Sequence, residues 1–341
     1  MKLVSYLREG HEQLALLHED LLYDADAFVP GLPSNMESFL RRWDDAAGSL
    51  LEALHGIEKG SIVHPAGIPV DGARLLAPVP RPASLRDGYG FRRHVETARR
   101  NRGLGMIREF DEFPVFYFSN HHATRGPGVI ACMADHFERL DFELEVAVVI
   151  ARGGRNIRAH DADAHVGGLM IMNDFSARRL QAEEMKLSLG PAKGKDFATA
   201  FGPWLVTPDE LESYRVPPPA GHQGAAYGLR MTASVNGVEV SRGNLGDMQW
   251  TFAELIERAS YGADLVAGDV IGSGTVGTGC LLELNGTAQR EDPGYVPRWL
   301  RAGDQVTLAV EGLGMLTNII EAEDDGYSLL DLKKHLPAHE D

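Results

Sequence analysis

Residues 140–150, Leu-Asp-Phe-Glu-Leu-Glu-Val-Ala-Val-Val-Ile, lead a pair of acids into an unbroken apolar run. The β-branched second half predicts a strand. Side chains on a strand alternate between faces, so Glu143 and Glu145 point the same way. Two carboxylates side by side at the entrance to a buried core each disfavour the other's ionisation. A bound cation removes that penalty, and carboxylate oxygens suit a hard divalent ion such as Mg²⁺, Ca²⁺ or Mn²⁺. The competing reading is an edge strand whose polar face is solvated.

At 341 residues the chain has room for one large domain, or a large one and a small one. It contains no uninterrupted apolar stretch of about 18 residues, which argues against a transmembrane helix. Its start, Met1 to Tyr6 and on to Arg8, Glu9 and Glu12, lacks the apolar centre of a signal peptide. The two cysteines, Cys132 and Cys280, suggest a reducing, cytoplasmic setting and argue against a cysteine-based zinc site. The formal net charge of −16 repels phosphate backbones. The one basic cluster, Arg92, Arg93, Arg99, Arg100 and Arg102, therefore reads as a helix face or as anion-pairing groups, and no nucleic-acid or membrane partner is expected.

Residues 1–75 read as a small module. A strand at 2–7 precedes a helical pattern at 35–53, where Met36, Phe39, Leu40, Trp43, Leu50 and Leu51 recur at helical spacing behind an N-cap at Ser34. The passage Leu76-Ala77-Pro78-Val79-Pro80-Arg81-Pro82 predicts an extended linker. Residues 76–341 then form a second domain in which short β-rich runs alternate with Gly, Pro and Asp turns. Strands are expected near 115–118, 142–150, 168–172, 204–206, 229–235, 269–271, 281–284 and 305–310, and helices at 85–100, 176–184 and 252–259. Asn236-Gly237 between two β-rich runs signals a two-residue hairpin. The class is α+β, mostly β, without the regular alternation of a parallel α/β fold. The acidic tail, Glu321, Glu323, Asp324, Asp325 and residues 338–341, is expected in solvent.

A second acidic signal lies at Asn173-Asp174-Phe175-Ser176-Ala177-Arg178, where an apolar run ends and Ser176 is expected to open a helix. Asp174 then sits at a strand-to-helix turn, with Arg178 and Gln181 on one helix face. The alternative role for Asp174 is a helix cap. A third segment, Gly194-Lys195-Asp196-Phe197, suggests a tight loop that could bring Lys193 or Lys195 to a developing oxyanion; otherwise the two lysines are solvated.

Taken in order, these segments together with Gly272-Ser273-Gly274-Thr275 resemble the fumarylacetoacetate hydrolase superfamily, over roughly residue 77 to the C-terminus. The resemblance implies a β-roll catalytic domain behind a small N-terminal α/β domain, a homodimer, and Mg²⁺ or Ca²⁺ on carboxylates. It implies a small dicarbonyl or 2-oxo acid substrate. It makes Glu143, Glu145 and Asp174 metal ligands. The family's hydrolases carry an Asp and a His seven apart, a spacing matched by Asp87 and His94, so Asp87 becomes a fourth ligand and His94 the general base. His122, in a string that looks locally similar, is a rival, although Val115 stands where its acid partner belongs. Glu283 would pair with His94, since a charge in that short apolar run needs a partner. Arg178, Gln181 and Lys195 match charge-stabilising positions, and Tyr89 and Thr275 match substrate contacts. The family's tyrosine four residues beyond the Gln is Met185 here. The implied activity is hydrolysis of a C–C bond in fumarylacetoacetate or a related acylated 2,4-dioxo acid, in aromatic catabolism. A 2-oxo acid decarboxylase or isomerase is the alternative, and a catalytically silent metabolite-binding protein a third reading.

Overall fold

The computed structural model describes residues 1–59, 66–323 and 326–334. Asp324, Asp325 and 338–341 of the acidic tail lie outside the described residues; Glu321 and Glu323 are exposed, as expected.

The centre of the molecule is an eleven-stranded mixed sheet. Across it run Lys2–Arg8, Thr199–Val206, Val166–Asp174, Leu144–Ile150, Asp269–Gly272, Ser84–Gly88 and Phe116–Ser119, each hydrogen-bonded to the next. The apolar run at 144–150 is central because both of its faces are covered. Val146, Val148 and Ile150 pack with Val306, Leu308, Leu316 and Ile320 of a five-stranded second sheet. Ala147 and Val149 face the opposite way, onto Phe39, Leu40, Trp43 and Leu50 of the N-terminal helices. Fully burying a large aliphatic side chain is worth about 1.5–3 kcal/mol, so this two-sided strand is a main anchor of the fold.

The N-terminal segment continues the same sheet. Lys2 and Leu3 pair with Val206 and Leu205, and the strands His11–His18 and Leu21–Asp24 follow outward. The helical pattern resolves into Met36–Arg41 and Trp43–Glu58. Asn35 rather than Ser34 caps the first of these, its side chain accepting from the Ser38 amide. The proline-rich passage is extended but packed. Val79 is buried, Ser5 Oγ donates to the Pro78 carbonyl at 2.8 Å, and the Leu76 amide donates to the Ser5 carbonyl at 2.9 Å.

Three other expectations need correction. The stretch expected to be helical over 85–100 is a strand, Ser84–Gly88, and then a helix, Arg92–Asn101. The strand expected at 281–284 is the first turn of the helix Leu281–Glu291. Its amides at Leu281 and Leu282 donate to the buried Asp141 carboxylate at 2.7 and 2.9 Å, a long-range N-terminal anchor with no local sequence signal. Similarly, Ser176 and Ala177 pair with Asp141 and Leu140 as a short strand, and the helix opens only at Arg178. The Asn236-Gly237 hairpin joins Arg230–Val235 to Val238–Asn244, with positive φ at both turn residues.

Candidate active site

Three strands deliver their carboxylates by one rule. Leu85, Ala147 and Met172 lie on the sheet face that packs against the N-terminal layer. Two residues along each strand, on the same face and at the same end of the sheet, stand Asp87, Glu145 and Asp174. Glu143, two further from Glu145, joins them. All four are buried. Asp87, Glu143 and Glu145 each offer an oxygen within 4.8 Å of the others'.

Positive charge enters from the Gly194–Lys195 loop and the Arg178–Glu184 helix. Lys195 Nζ donates to Asp174 Oδ2 at 2.6 Å and also to Glu143 Oε2. The Arg178 guanidinium donates to Glu143 Oε1 at 2.7 Å, Asp141 Oδ2 at 2.9 Å and Gln181 Oε1 at 3.0 Å. The loop lies flush on the helix because residue 194 is glycine. A Cβ there would stand 2.6 Å from the Gln181 backbone nitrogen.

The two cations are unevenly shared. Burial alone would raise the Glu143 carboxyl, but Lys195 and Arg178 outweigh it and hold Glu143 below the ordinary carboxylate range. Asp87 receives less of their field. Burial, with Asp174 adding to it, pushes its carboxyl up to about 7. Burial and the charges of Asp87 and Glu143 hold Glu145 well above its usual value. Burial also raises Asp174 despite Lys195. Glu145 Oε2 is buried without a hydrogen-bond partner. An all-oxygen donor set with an orphaned buried oxygen fits a hard divalent cation, and Asp87, Glu143, Glu145 and Asp174 are the residues that would hold it.

His94 and Glu283 meet beside this cluster. His94 Nδ1 and Glu283 Oε2 are 2.7 Å apart, both side chains buried. The two helices that carry them are pinned by Asn101, whose Nδ2 donates to the Glu283 carbonyl at 3.1 Å. Gly286 permits this approach, since a Cβ there would lie 2.6 Å from that nitrogen. A ring nitrogen of His94 lies within 4.8 Å of a Glu143 oxygen and of Cys280 Sγ. Tyr89 sets its ring edge-on to His94, centroids 6.0 Å apart. Thr275 Oγ1 donates to Glu145 Oε1 at 3.3 Å. The rival His122 is exposed, its ring tilted against that of His121 with centroids 4.2 Å apart, in a groove lined by Pro80, Arg81 and Pro82 and by none of the four carboxylates.

The sequence reading overlooked three residues here. Asp141 ties Arg178 to the Leu281–Glu291 helix, and its i−2 spacing from Glu143 was the available signal. Tyr117 stands opposite Asp87 in the strand pairing and donates to Asp174 Oδ2 at 2.5 Å. Burial and Asp174 push its hydroxyl well up, so it stays protonated and a donor. Thr199 Oγ1 donates to the other oxygen of Asp174 at 3.1 Å.

A buried acid cluster with two committed cations and a neighbouring His–Glu pair, at one end of a sheet, is an arrangement of perturbed titratable groups that marks a candidate enzyme site. The chain belongs to the fumarylacetoacetate hydrolase family: the model of that family's C-terminal domain matches residues 84–321. It is similar to a fumarylacetoacetase of Arabidopsis thaliana, 34% identical over 200 residues, half of this chain and 47% of that enzyme. The chain thus matches about half the length of that relative. It is also similar to an oxaloacetate tautomerase of Bacillus subtilis, 29% identical over 250 residues, 72% of this chain and 73% of that one. Among solved structures, a maleylpyruvate hydrolase from Sphingobium sp. SYK-6 in complex with manganese(II) ion and pyruvate shares the fold. Its TM-score is 0.66 at 20% identity, covering 94% of this chain and 99% of that one. The relatives thus include both hydrolases and tautomerases. No helix among the described residues is long and apolar enough to cross a membrane.

Proposed function

We propose that this protein is a metal-dependent hydrolase that cleaves a C–C bond in a 1,3-dicarbonyl acid, fumarylacetoacetate or a related acylated 2,4-dioxo acid. The observation that carries this reading is the buried 2.7 Å contact between His94 Nδ1 and Glu283 Oε2 beside the acid cluster. Glu283 accepts the Nδ1 proton and so fixes the tautomer, leaving Nε2 to take a proton from water. The water oxygen adds to the substrate carbonyl carbon as its proton passes to His94. The C–C bond then breaks, its electron pair leaves as an enolate, and the proton on His94 is available to the departing carbon. Gln181 spends its carbonyl oxygen on Arg178, so its amide N–H groups remain free to donate to developing negative charge. Loss of one such donor costs on the order of 10²–10³-fold in rate. Lys195 and Arg178 hold Glu143 ionised, Lys195 also donates to Asp174, and Tyr89 and Thr275 border the space for substrate. A divalent cation, Mg²⁺ or Ca²⁺ with Mn²⁺ as a substitute, would polarise the two carbonyl oxygens when held by the four carboxylates.

The second reading, a 2-oxo acid isomerase or decarboxylase, is favoured by the oxaloacetate tautomerase similarity, which extends over more of the chain than that to fumarylacetoacetase. An ultraviolet assay with Mn²⁺ against fumarylacetoacetate, fumarylpyruvate, acetylpyruvate and oxaloacetate, beside His94→Ala, separates the two. The hydrolase reading expects two acids from a diketone, lost with EDTA and in His94→Ala. Turnover of oxaloacetate alone, or activity that survives His94→Ala, overturns it.

Homodimerisation belongs to the same proposal. One face of the second sheet leaves Val129, Met315 and Ile319 in solvent, and sedimentation equilibrium at micromolar protein tests it. Cytoplasmic residence is supported by two buried free cysteines and is tested by cell fractionation.

A further inference from the structure

The arginines of the basic cluster do not act as one group. Arg92 pairs with Asp111 at 3.0 Å and with Glu96 at 3.2 Å. Arg99 and Arg102 turn back on their own chain and donate to the carbonyls of Gly105 and Ala98. Arg93 and Arg100 are left over. Both are exposed, and neither guanidinium has an ion pair or hydrogen bond among the described residues.

These two share a stripe. Arg93, Thr97 and Arg100 stand at i, i+4 and i+7 of the helix Arg92–Asn101. Glu283, Thr287 and Glu291 stand at i, i+4 and i+8 of the helix Leu281–Glu291. The two stripes are the walls of one cleft of about 440 Å³, a volume in the range of small-molecule sites. Gly277 lets the Arg93 stem lie close, since a Cβ there would stand 2.7 Å from Arg93 Cδ.

The most buried residue lining the cleft is Glu283, 2% exposed. His94 occupies its Oε2, while its Oε1 is buried without a hydrogen-bond partner. An unsatisfied buried oxygen is costly, and a donor entering by the cleft would satisfy it. Glu291 is exposed and has no ion pair among the described residues. The charges decide what such a ligand carries. A plain anion suits Arg93 and Arg100 but faces Glu283 and Glu291, and a plain cation meets the reverse. A molecule with both charges is complementary to both walls.

We propose that this cleft binds a small zwitterion of the free amino acid class, its carboxylate on Arg93 and Arg100 and its ammonium on Glu283 Oε1, and that occupancy slows the reaction. A donor on Oε1 draws charge away from Oε2, so Glu283 stabilises a protonated His94 less. The binding stands apart from the hydrolase reading; the effect on rate rests on it.

The test is calorimetric titration of the manganese-loaded protein with glycine, L-alanine, L-leucine and L-phenylalanine, beside acetate and ethylammonium, which carry one charge each. At least one amino acid should saturate a single site, with both one-charge probes about tenfold weaker or more. Arg93→Gln with Arg100→Gln should weaken that binding about ten- to hundredfold, the range for hydrogen bonds to charged groups, and leave Mn²⁺ affinity unchanged. No saturation by any amino acid, acetate binding as tightly as the amino acids, or undiminished binding in the double variant overturns the site. In the dicarbonyl assay, the saturating amino acid should lower kcat about two- to tenfold with KM unchanged, the range of one net hydrogen bond, and should have no effect on the double variant. A rise in KM alone, or binding that leaves kcat unchanged, overturns the contact with Glu283. If no dioxo acid is turned over, the hydrolase reading fails and the titrations still decide the site.

Discussion

Replacing Lys195 by methionine keeps most of the side-chain volume and removes the ammonium that bridges Glu143 and Asp174. At the 2.6 Å separation from Asp174, an effective dielectric of about 20 gives a Coulomb attraction of about 6 kcal/mol. Desolvation of the buried ammonium offsets part of it. Breaking a buried pair by removing one partner costs about 3–5 kcal/mol in practice, because the remaining charge stays unpaired. Four buried carboxylates would then share the Arg178 guanidinium as their remaining close cation among the described residues. Lys195→Met should therefore lose about 3–5 kcal/mol in urea unfolding of the metal-free protein at pH 7. A divalent cation should restore more to the variant than to the parent. At a hundredfold excess over Kd the parent itself gains about 2.7 kcal/mol. Metal-free stability within about 1 kcal/mol of the parent, the upper range for exposed pairs, would refute the reasoning. An equal metal increment in both proteins would refute it too.

Three further outcomes are expected. Folded Asp87 keeps a proton up to about pH 7, whereas an unfolded aspartate loses it near about pH 4. Bound protons thus favour the folded state across that window, and metal-free stability should fall as pH climbs from about 4 through 7, a slope that saturating Mn²⁺ abolishes in a denaturant series at stepped pH. Glu283→Gln should lower kcat on the order of 10²–10⁴-fold with little change in KM, in steady-state kinetics across pH. A fall in KM affinity with unchanged kcat would show that Glu283 does not serve His94. Gly194→Ala must push the loop off Gln181, costing about 1–3 kcal/mol in denaturation and displacing Lys195, which weaker Mn²⁺ binding by calorimetry would report.

Much of the site was legible because its residues obey short-range rules. Glu143 and Glu145 share a face through strand alternation, and the Gly194–Lys195 loop announced its tight approach through its glycine. The segments that escaped were decided at long range. The 281–284 run looks like a strand by propensity but becomes helical where Asp141, 140 residues away, accepts its first amides. Ser176 failed to open a helix because Asp141 pairs with it as a strand. The strands Gly128–Cys132 and Gly314–Ala322 went unseen because neither alternates cleanly between apolar and polar residues, and they pair with each other from far apart in the chain. Tyr117 has no motif at all; only its register opposite Asp87 reveals it.

That three carboxylates continue the apolar stripes of three strands of one sheet makes the site a gauge of alignment. A slip of one residue in any of these strands would turn its acid toward the opposite face, among Val146, Val148 and Ile150, and put a core side chain where the acid belongs. A divalent ion gathered by all four acids can bind only the chain whose strands are correctly in step. During folding it would act as a proofreader, selectively stabilising the one alignment in which the enzyme can work.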